Sequence, residues 1–314
     1  MSIKKCIFRV GAFSVLLYLL GTIALAEISL HPVRIHRGQR LARLTKLAEQ
    51  SAQTSGGQLQ NVSIQSQDGT HLEAWYVQPA ASNGRAVLLL HGLGDSRAGI
   101  EPYMGIFLQS GYSVLMPDSR GNGASSGLTT YGLRESGDVH AWVDWLIANK
   151  NPTCVFALGE SMGAAILLQS LQVEHRFCAV VAESSFADFR EAAYDRVSEQ
   201  FSAGPWLGKT LLRPAIEGAF LEGRIVHRLD LQSASPRNAI TGVTTPIMLI
   251  HGASDTHLRL RHSQILHQAN PRTELWVVPG MEHTLVFRTH PQEFTERVRA
   301  FFAAHSITPV IPVA

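Results

Sequence analysis

The pentapeptide Gly159-Glu160-Ser161-Met162-Gly163 constrains this chain more than any other segment. It follows the apolar run Cys154–Leu158 and precedes AAILLQSL at 164–171. That is G-x-S-x-G at a junction of strand and helix. The turn holds its serine in a strained backbone conformation, and the two glycines let strand and helix pass close together. The Ser161 hydroxyl then projects from the turn, and the N–H groups of the helix start face any oxyanion that forms beside it.

The surrounding pattern agrees with such a turn. Short, apolar, mostly branched runs at 86–90, 113–117, 155–158, 179–182, 247–250 and 274–278 read as strands covered on both faces. Helical patterns lie between them, near 98–110, 134–149, 162–172, 257–269 and 291–304. This alternation implies a mainly parallel sheet with helices on both sides. VSIQSQ and THLEAWYV flank Asp68-Gly69, which predicts an antiparallel hairpin at one edge. Phe186 to Val243 shows no convincing strand and is too long for a plain connection, so a helical insertion is expected there. With 45% hydrophobic and 17% charged residues, the chain can build a large core. The composition excludes disorder, a coiled coil and collagen.

Residues 1–26 read as a separate segment. Lys4, Lys5 and Arg9 precede Val10–Ala26, seventeen residues without a charge. A cationic start before an apolar run is an export signal. Ala24-Leu25-Ala26 offers a cleavage site before Glu27, while the length lies at the lower edge for a spanning helix. The expectation is therefore a signal peptide or a signal-anchor transmembrane helix, with the bulk of the chain extracytoplasmic. Residues 27–58 then form a linker with a helix at 40–53, outside the main fold. The main domain is expected to cover 59–306, and 307–314 to form a tail. Three of the 27 basic residues lie in the first 26, leaving 24 against 25 acidic ones. That balance offers nucleic acid no electrostatic footprint.

A serine nucleophile needs a base, and the base needs an orienting acid. PIMLI leads into His251-Gly252-Ala253-Ser254-Asp255, and ELWVV leads into Pro279-Gly280-Met281-Glu282-His283. Both loops leave the carboxyl ends of strands, where open α/β sheets place their sites. Ser161, Asp255 and His283 are the candidate triad. Glu183, at the end of another strand, is the rival acid. The glycine-rich turn His91-Gly92-Leu93-Gly94 after the first core strand supplies an oxyanion hole, with the N–H groups of Leu93 and Met162 as donors. His91 itself reads as a structural residue that holds this loop.

HGLGDS, DSRGNGASSG at 118–127, YGLRESGDV at 131–139, GESMGAA at 159–165, HGASD at 251–255 and the EH of 282–283 resemble the α/β-hydrolase superfamily, from about residue 60 to residue 304. Within it they are similar to the serine hydrolases that include Bem46-like proteins, monoacylglycerol-lipase-like esterases and serine aminopeptidases. The resemblance implies an α/β-hydrolase fold with a helical lid over 186–243, and a carboxylic ester substrate cleaved through an acyl-enzyme. It implies no cofactor. Asn122 departs from the family pattern, which often has histidine there.

Two alternatives remain open from sequence. One is a peptidase or aminopeptidase of the same fold, with Glu183 or Glu191 receiving a substrate ammonium. The other is a receptor or scaffold without turnover. His257, His262 and His267 recur every five residues and do not converge on one face, so no metal site is expected. No nucleotide-binding glycine motif follows a strand. Cys154 and Cys178 open two neighbouring strands and are either paired or reduced. Asn61-Val62-Ser63 is a glycosylation acceptor in a eukaryotic secretory pathway only.

Overall fold

The computed structural model describes residues 3–33, 38–201, 204 and 206–306. In the first helix it describes side chains at Arg9, Phe13, Leu16 and from Tyr18 onward. The expected tail at 307–314 and the side chains of Lys4 and Lys5 lie outside the described residues. Eight strands form one sheet: β1 Gln60–Gln65, β2 His71–Val77, β3 Arg85–Leu90, β4 Ser113–Pro117, β5 Cys154–Glu160, β6 Phe177–Glu183, β7 Ile247–Gly252 and β8 Glu274–Val278. Their order is β1-β2-β4-β3-β5-β6-β7-β8. The β1–β2 hairpin and its β2–β4 pairing are antiparallel, and the other pairs are parallel. The hairpin turns at Gly69, whose φ of +80° suits glycine.

The helices are α1 Ile3–Leu30, α2 Gly38–Thr54, α3 Glu101–Leu108, α4 Glu135–Lys150, α5 Met162–Ser170 and α6 Phe189–Gln200. They continue with α7 Trp206–Lys209, α8 Arg213–Val226, α9 Pro236–Ala239, α10 Arg261–Ala269, α11 Val286–Thr289 and α12 Pro291–Ala304. The strand period of two splits each central strand between two cores. Ala86, Leu88 and Leu90 of β3 face Trp142 and the fully buried α5. Val87 and Leu89 face Phe107, Phe156 and Phe302 on the other side. Both faces of the sheet are thus covered, as the unbroken apolar strands require. The insertion between β6 and β7 is helical, from α6 to α9.

Two N-terminal expectations change. α2 does not lie outside the fold as a linker helix, because Ala48 and Ala52 are fully buried in the second core. Its Ser51 hydroxyl donates to Glu101 at 2.8 Å. Among the described residues no helix is long and apolar enough to cross a membrane, so the spanning form of the anchor finds no support. The packing of α1 supplies a reason. From Tyr18 to Leu30 one side of α1 is committed to the protein: the Tyr18 hydroxyl donates to the Pro214 carbonyl at 2.5 Å, and Leu30 is fully buried.

Cys154 and Cys178 form a disulfide between β5 and β6, with Cα atoms 6.0 Å apart. The pairing that sequence left open is therefore made.

Candidate active site

Ser161 sits between β5 and α5 with φ +52° and ψ −116°, a conformation L-residues avoid. The elbow holds it there because glycine lets the chain segments meet. A side-chain carbon on Gly163 would come within 2.3 Å of the Leu90 carbonyl oxygen, and one on Gly159 within 2.6 Å of the Gly163 carbonyl carbon. The Ser161 N–H donates to the Glu183 carbonyl at 2.8 Å, tying the turn to the end of β6.

The structure brings the three separated candidates together. His283 Nε2 lies 2.9 Å from Ser161 Oγ, and His283 Nδ1 lies 2.7 Å from Asp255 Oδ2. Asp255 Oδ1 accepts the Leu258 N–H at 2.9 Å. The two loops are stitched to each other by Ala253 N–H to Val278 O and Ser254 N–H to Met281 O, both 2.9 Å. The Asp255 side chain is fully buried. Burial alone would raise its pKa, but the hydrogen bond and charge of His283, with the Leu258 N–H, win and hold it below the ordinary carboxylate value. An ionised acid behind the imidazole fixes its tautomer and leaves Nε2 free to take the serine proton.

Glu183, the rival acid, serves elsewhere. Its carboxylate accepts from the Tyr103 hydroxyl at 2.9 Å and the Val286 N–H at 3.3 Å. It therefore braces the turn after His283 rather than the imidazole. Tyr103 also reaches Glu160 at 3.4 Å. Burial first, then mutual repulsion with neighbouring carboxyls, pushes Glu160 up to about 8, and burial pushes Glu183 up to about 7. The effect is chemically useful. A Glu160 carboxyl that is mostly protonated at neutral pH places little negative charge beside an oxyanion at Ser161.

Leu93 and Met162 both line the pocket onto which Ser161 opens. Gly92 of the same turn packs against Ser161, since a side-chain carbon there would lie 3.6 Å from Ser161 Cβ. His91 is fully buried; its Nε2 accepts the Ser119 N–H at 3.0 Å, and its Nδ1 donates to the Gly92 carbonyl at 2.7 Å. The structural reading of His91 agrees with these contacts. Asn122 does related work. Its Oδ1 accepts the Gly94 N–H at 3.0 Å, and its Nδ2 donates to the Arg120 carbonyl and the Thr129 hydroxyl.

Sequence reasoning missed three participants. His251 is buried; it bonds Ser263 and the Leu258 carbonyl and lies 3.5 Å from Asp255 Oδ2. Burial keeps its pKa low, so it orients without adding charge. His257 stacks on His283 with ring centroids 5.2 Å apart and pairs with Glu199. Glu160 is the third. All three lie within or beside the motifs that located the triad, but their identities there gave no geometric cue.

The pocket has a volume of about 800 Å³, within the usual range for small-molecule sites. Phe186, Phe189 and Phe220 of the insertion line it, while Phe201 and Trp206 point to solvent. Leu25, Ala26, Ile28 and Ser29 of α1 close another side. Among the described residues, Glu27, Glu222 and His227 bring one donor atom each within 4.8 Å of one another. They lie at the α1–α8 contact, where His227 pairs with Glu27 at 2.8 Å. They form a clasp between α1 and the end of α8.

Comparison with known proteins agrees with this architecture. The chain is 26% identical over 244 residues to protein YqkD of Bacillus subtilis, covering 76% of this chain and 77% of that protein. It is 30% identical over 195 residues to the mouse lysophosphatidylserine lipase ABHD12, covering 58% of this chain and 44% of that one. Among solved structures, the Pyrococcus furiosus esterase Pf2001 superposes with a TM-score of 0.67 at 25% identity, over 87% of this chain and 98% of that one. The Alpha/beta hydrolase family profile matches residues 87–297. With that match over most of the chain, and an eight-stranded, mostly parallel sheet carrying a serine elbow, the chain belongs to the alpha/beta hydrolase family.

Proposed function

We propose that this hydrolase is a serine esterase that cleaves carboxylic acyl esters through Ser161, His283 and Asp255. The observation that carries the reading is the hydrogen-bonded chain from Ser161 through His283 to Asp255, opening on a pocket with phenylalanine walls. Ser161 Oγ attacks the ester carbonyl while His283 Nε2 takes its proton. The N–H groups of Leu93 and Met162 receive the oxyanion. His283 then protonates the leaving alcohol, and the acyl group stays on Ser161. Water, deprotonated by His283, resolves the acyl-enzyme. Asp255 keeps the imidazole in the required tautomer throughout.

The esterase and lipase among the similar proteins support an ester over an amide. The buried disulfide supports an oxidising compartment outside the cytoplasm. The cationic, apolar N-terminus supports export with attachment at a membrane surface. The test is a fluorophosphonate probe beside Ser161→Ala. The unmutated chain is expected to label, and Ser161→Ala to fold normally while losing roughly 10⁴-fold or more in kcat. Activity retained in that variant would remove Ser161 as nucleophile.

A further inference from the structure

We infer that α1 stays on the mature protein and forms a wall of the acyl pocket, so that the N-terminal helix sets which acyl chains the site accepts. The inference rests on the esterase reading for its substrate, a single medium or long acyl chain, but not for its geometry.

Leu25, Ala26, Ile28 and Ser29 recur at one-, two- and one-residue steps, which places them along one side of an α-helix. The same cavity is lined by Phe189 on α6 and by Ile216 and Phe220 on α8. The apolar end of the site thus has three helical walls, and one belongs to the segment that reads as a targeting signal.

That wall is fixed along its length. The Leu30 carbonyl accepts the Thr129 N–H at 3.1 Å, and the Ser29 carbonyl accepts the Tyr131 hydroxyl at 2.8 Å. Tyr131 in turn stacks on Phe189 at 3.7 Å between ring centroids. Farther back, Tyr18 bonds the Pro214 carbonyl, and Gly218 leaves room for Thr22; a side-chain carbon at 218 would lie 2.8 Å from Thr22 Cγ2. Glu27 pairs with His227 just beyond α8. The lid helix α8 therefore rests on α1. Cleavage after Ala26 would remove Leu25 and the buried Ala26, leave α8 without its partner, and set a new ammonium group on Glu27 at the edge of an apolar wall. Ala26, small and buried, is the residue of the Ala24-Leu25-Ala26 pattern that lets α1 approach the pocket.

Three measurements on the full-length chain, purified in detergent, test this. Intact mass of protein recovered from its own cells should include residues before Glu27; a chain beginning at Glu27 overturns the inference, whatever the enzyme hydrolyses. Second, Leu25→Trp and the more exposed Ile28→Trp should lower the ratio of kcat/KM for a dodecanoyl over a butyryl p-nitrophenyl ester about tenfold or more. That is the equivalent of excluding two methylenes. The loss should appear in KM for the long ester, and Leu211→Trp on the exposed side of the lid should leave the ratio unchanged. An equal effect on both esters in both tryptophan variants overturns the inference. Third, binding of a fluorescent long-chain fatty acid to Ser161→Ala should weaken when Ile28→Trp is added. Because that readout needs no turnover, unaltered binding overturns the pocket wall even if the esterase reading fails.

Discussion

Asp255→Asn isolates what the acid does, because the structure dictates how the asparagine amide must sit. Asp255 Oδ1 accepts the Leu258 N–H at 2.9 Å, so the amide oxygen takes that place. The amide NH₂ then occupies the position of Oδ2 and faces His283 Nδ1 across 2.7 Å. A donor there forces Nδ1 to be the acceptor, which puts the ring proton on Nε2, toward Ser161 Oγ at 2.9 Å. The imidazole can no longer take the serine proton. In that tautomer the loss in kcat is about 10⁴-fold, or about 5.5 kcal/mol of barrier. Flipping the amide would restore the tautomer, but only by setting the NH₂ against the Leu258 N–H, at a cost of roughly 1–3 kcal/mol. If the flipped form carries catalysis, that route caps the loss near 10²-fold, so the expected loss lies between about 10²-fold and 10⁴-fold. The assay is steady-state hydrolysis of a butyryl ester, beside the rate of fluorophosphonate labelling, with thermal melting to confirm the fold. A loss smaller than tenfold in both rates would refute the tautomer argument and return Glu183 to consideration.

Two further outcomes follow from groups outside the triad. Replacing both disulfide cysteines by alanine opens a loop with a sequence separation of 24; chain entropy predicts a cost of about 3.5 kcal/mol, read by urea unfolding, and no change in midpoint would show that the bridge contributes nothing. Glu160 and Glu183 have ordinary values of 4.5 and folded values of about 8 and 7. Between about pH 4.5 and 8 the folded chain therefore binds more protons than the unfolded chain, and stability falls as pH rises. Glu160→Gln should flatten that slope in melting temperature against pH, whereas an unchanged slope would place its origin elsewhere.

Much of this site was legible in the chain because its constraints are local. Gly159 is needed by a contact within one strand–turn–helix unit, Gly163 by the approach of that unit to the end of β3, and β7 and β8 each lead directly into the residue types a triad needs. The lengths of β4, β8 and α12 were also readable, since apolar runs bounded by turns fix them. What failed to show was long-range. Ala48 and Ala52 bury α2 against α3, yet small residues on a polar helix give no hint of a partner. The role of α1 was hidden for a similar reason: an apolar stretch reads the same whether it meets lipid or the far side of an acyl pocket. Asn122 and His251 act through contacts with Gly94, Ser263 and Leu258 that only the folded chain creates.

The choice between ester and aminoacyl amide turns on whether any acid here can hold an ammonium. Glu183 is fully buried and already bonded at both oxygens, to Tyr103 and Val286. Glu191 is paired with Lys209 at 2.5 Å and Arg261 at 3.2 Å. Asp95 lines the pocket but accepts the Ser96 N–H at 2.7 Å and lies over Gly99. Glu160 is left, and it ionises only near pH 8. An aminoacyl amine loses its own proton at about the same pH. Before their attraction acts, both charges coexist only in a narrow band, with each group about half charged. An ammonium site on Glu160 would therefore show itself as a KM for aminoacyl p-nitroanilides with a minimum near pH 8, abolished by Glu160→Gln. The expected result is a KM without that minimum, and kcat/KM for acyl esters well above that for the anilides. Finding the minimum, together with faster turnover of the anilides, would make the enzyme an aminopeptidase and Glu160 its specificity residue.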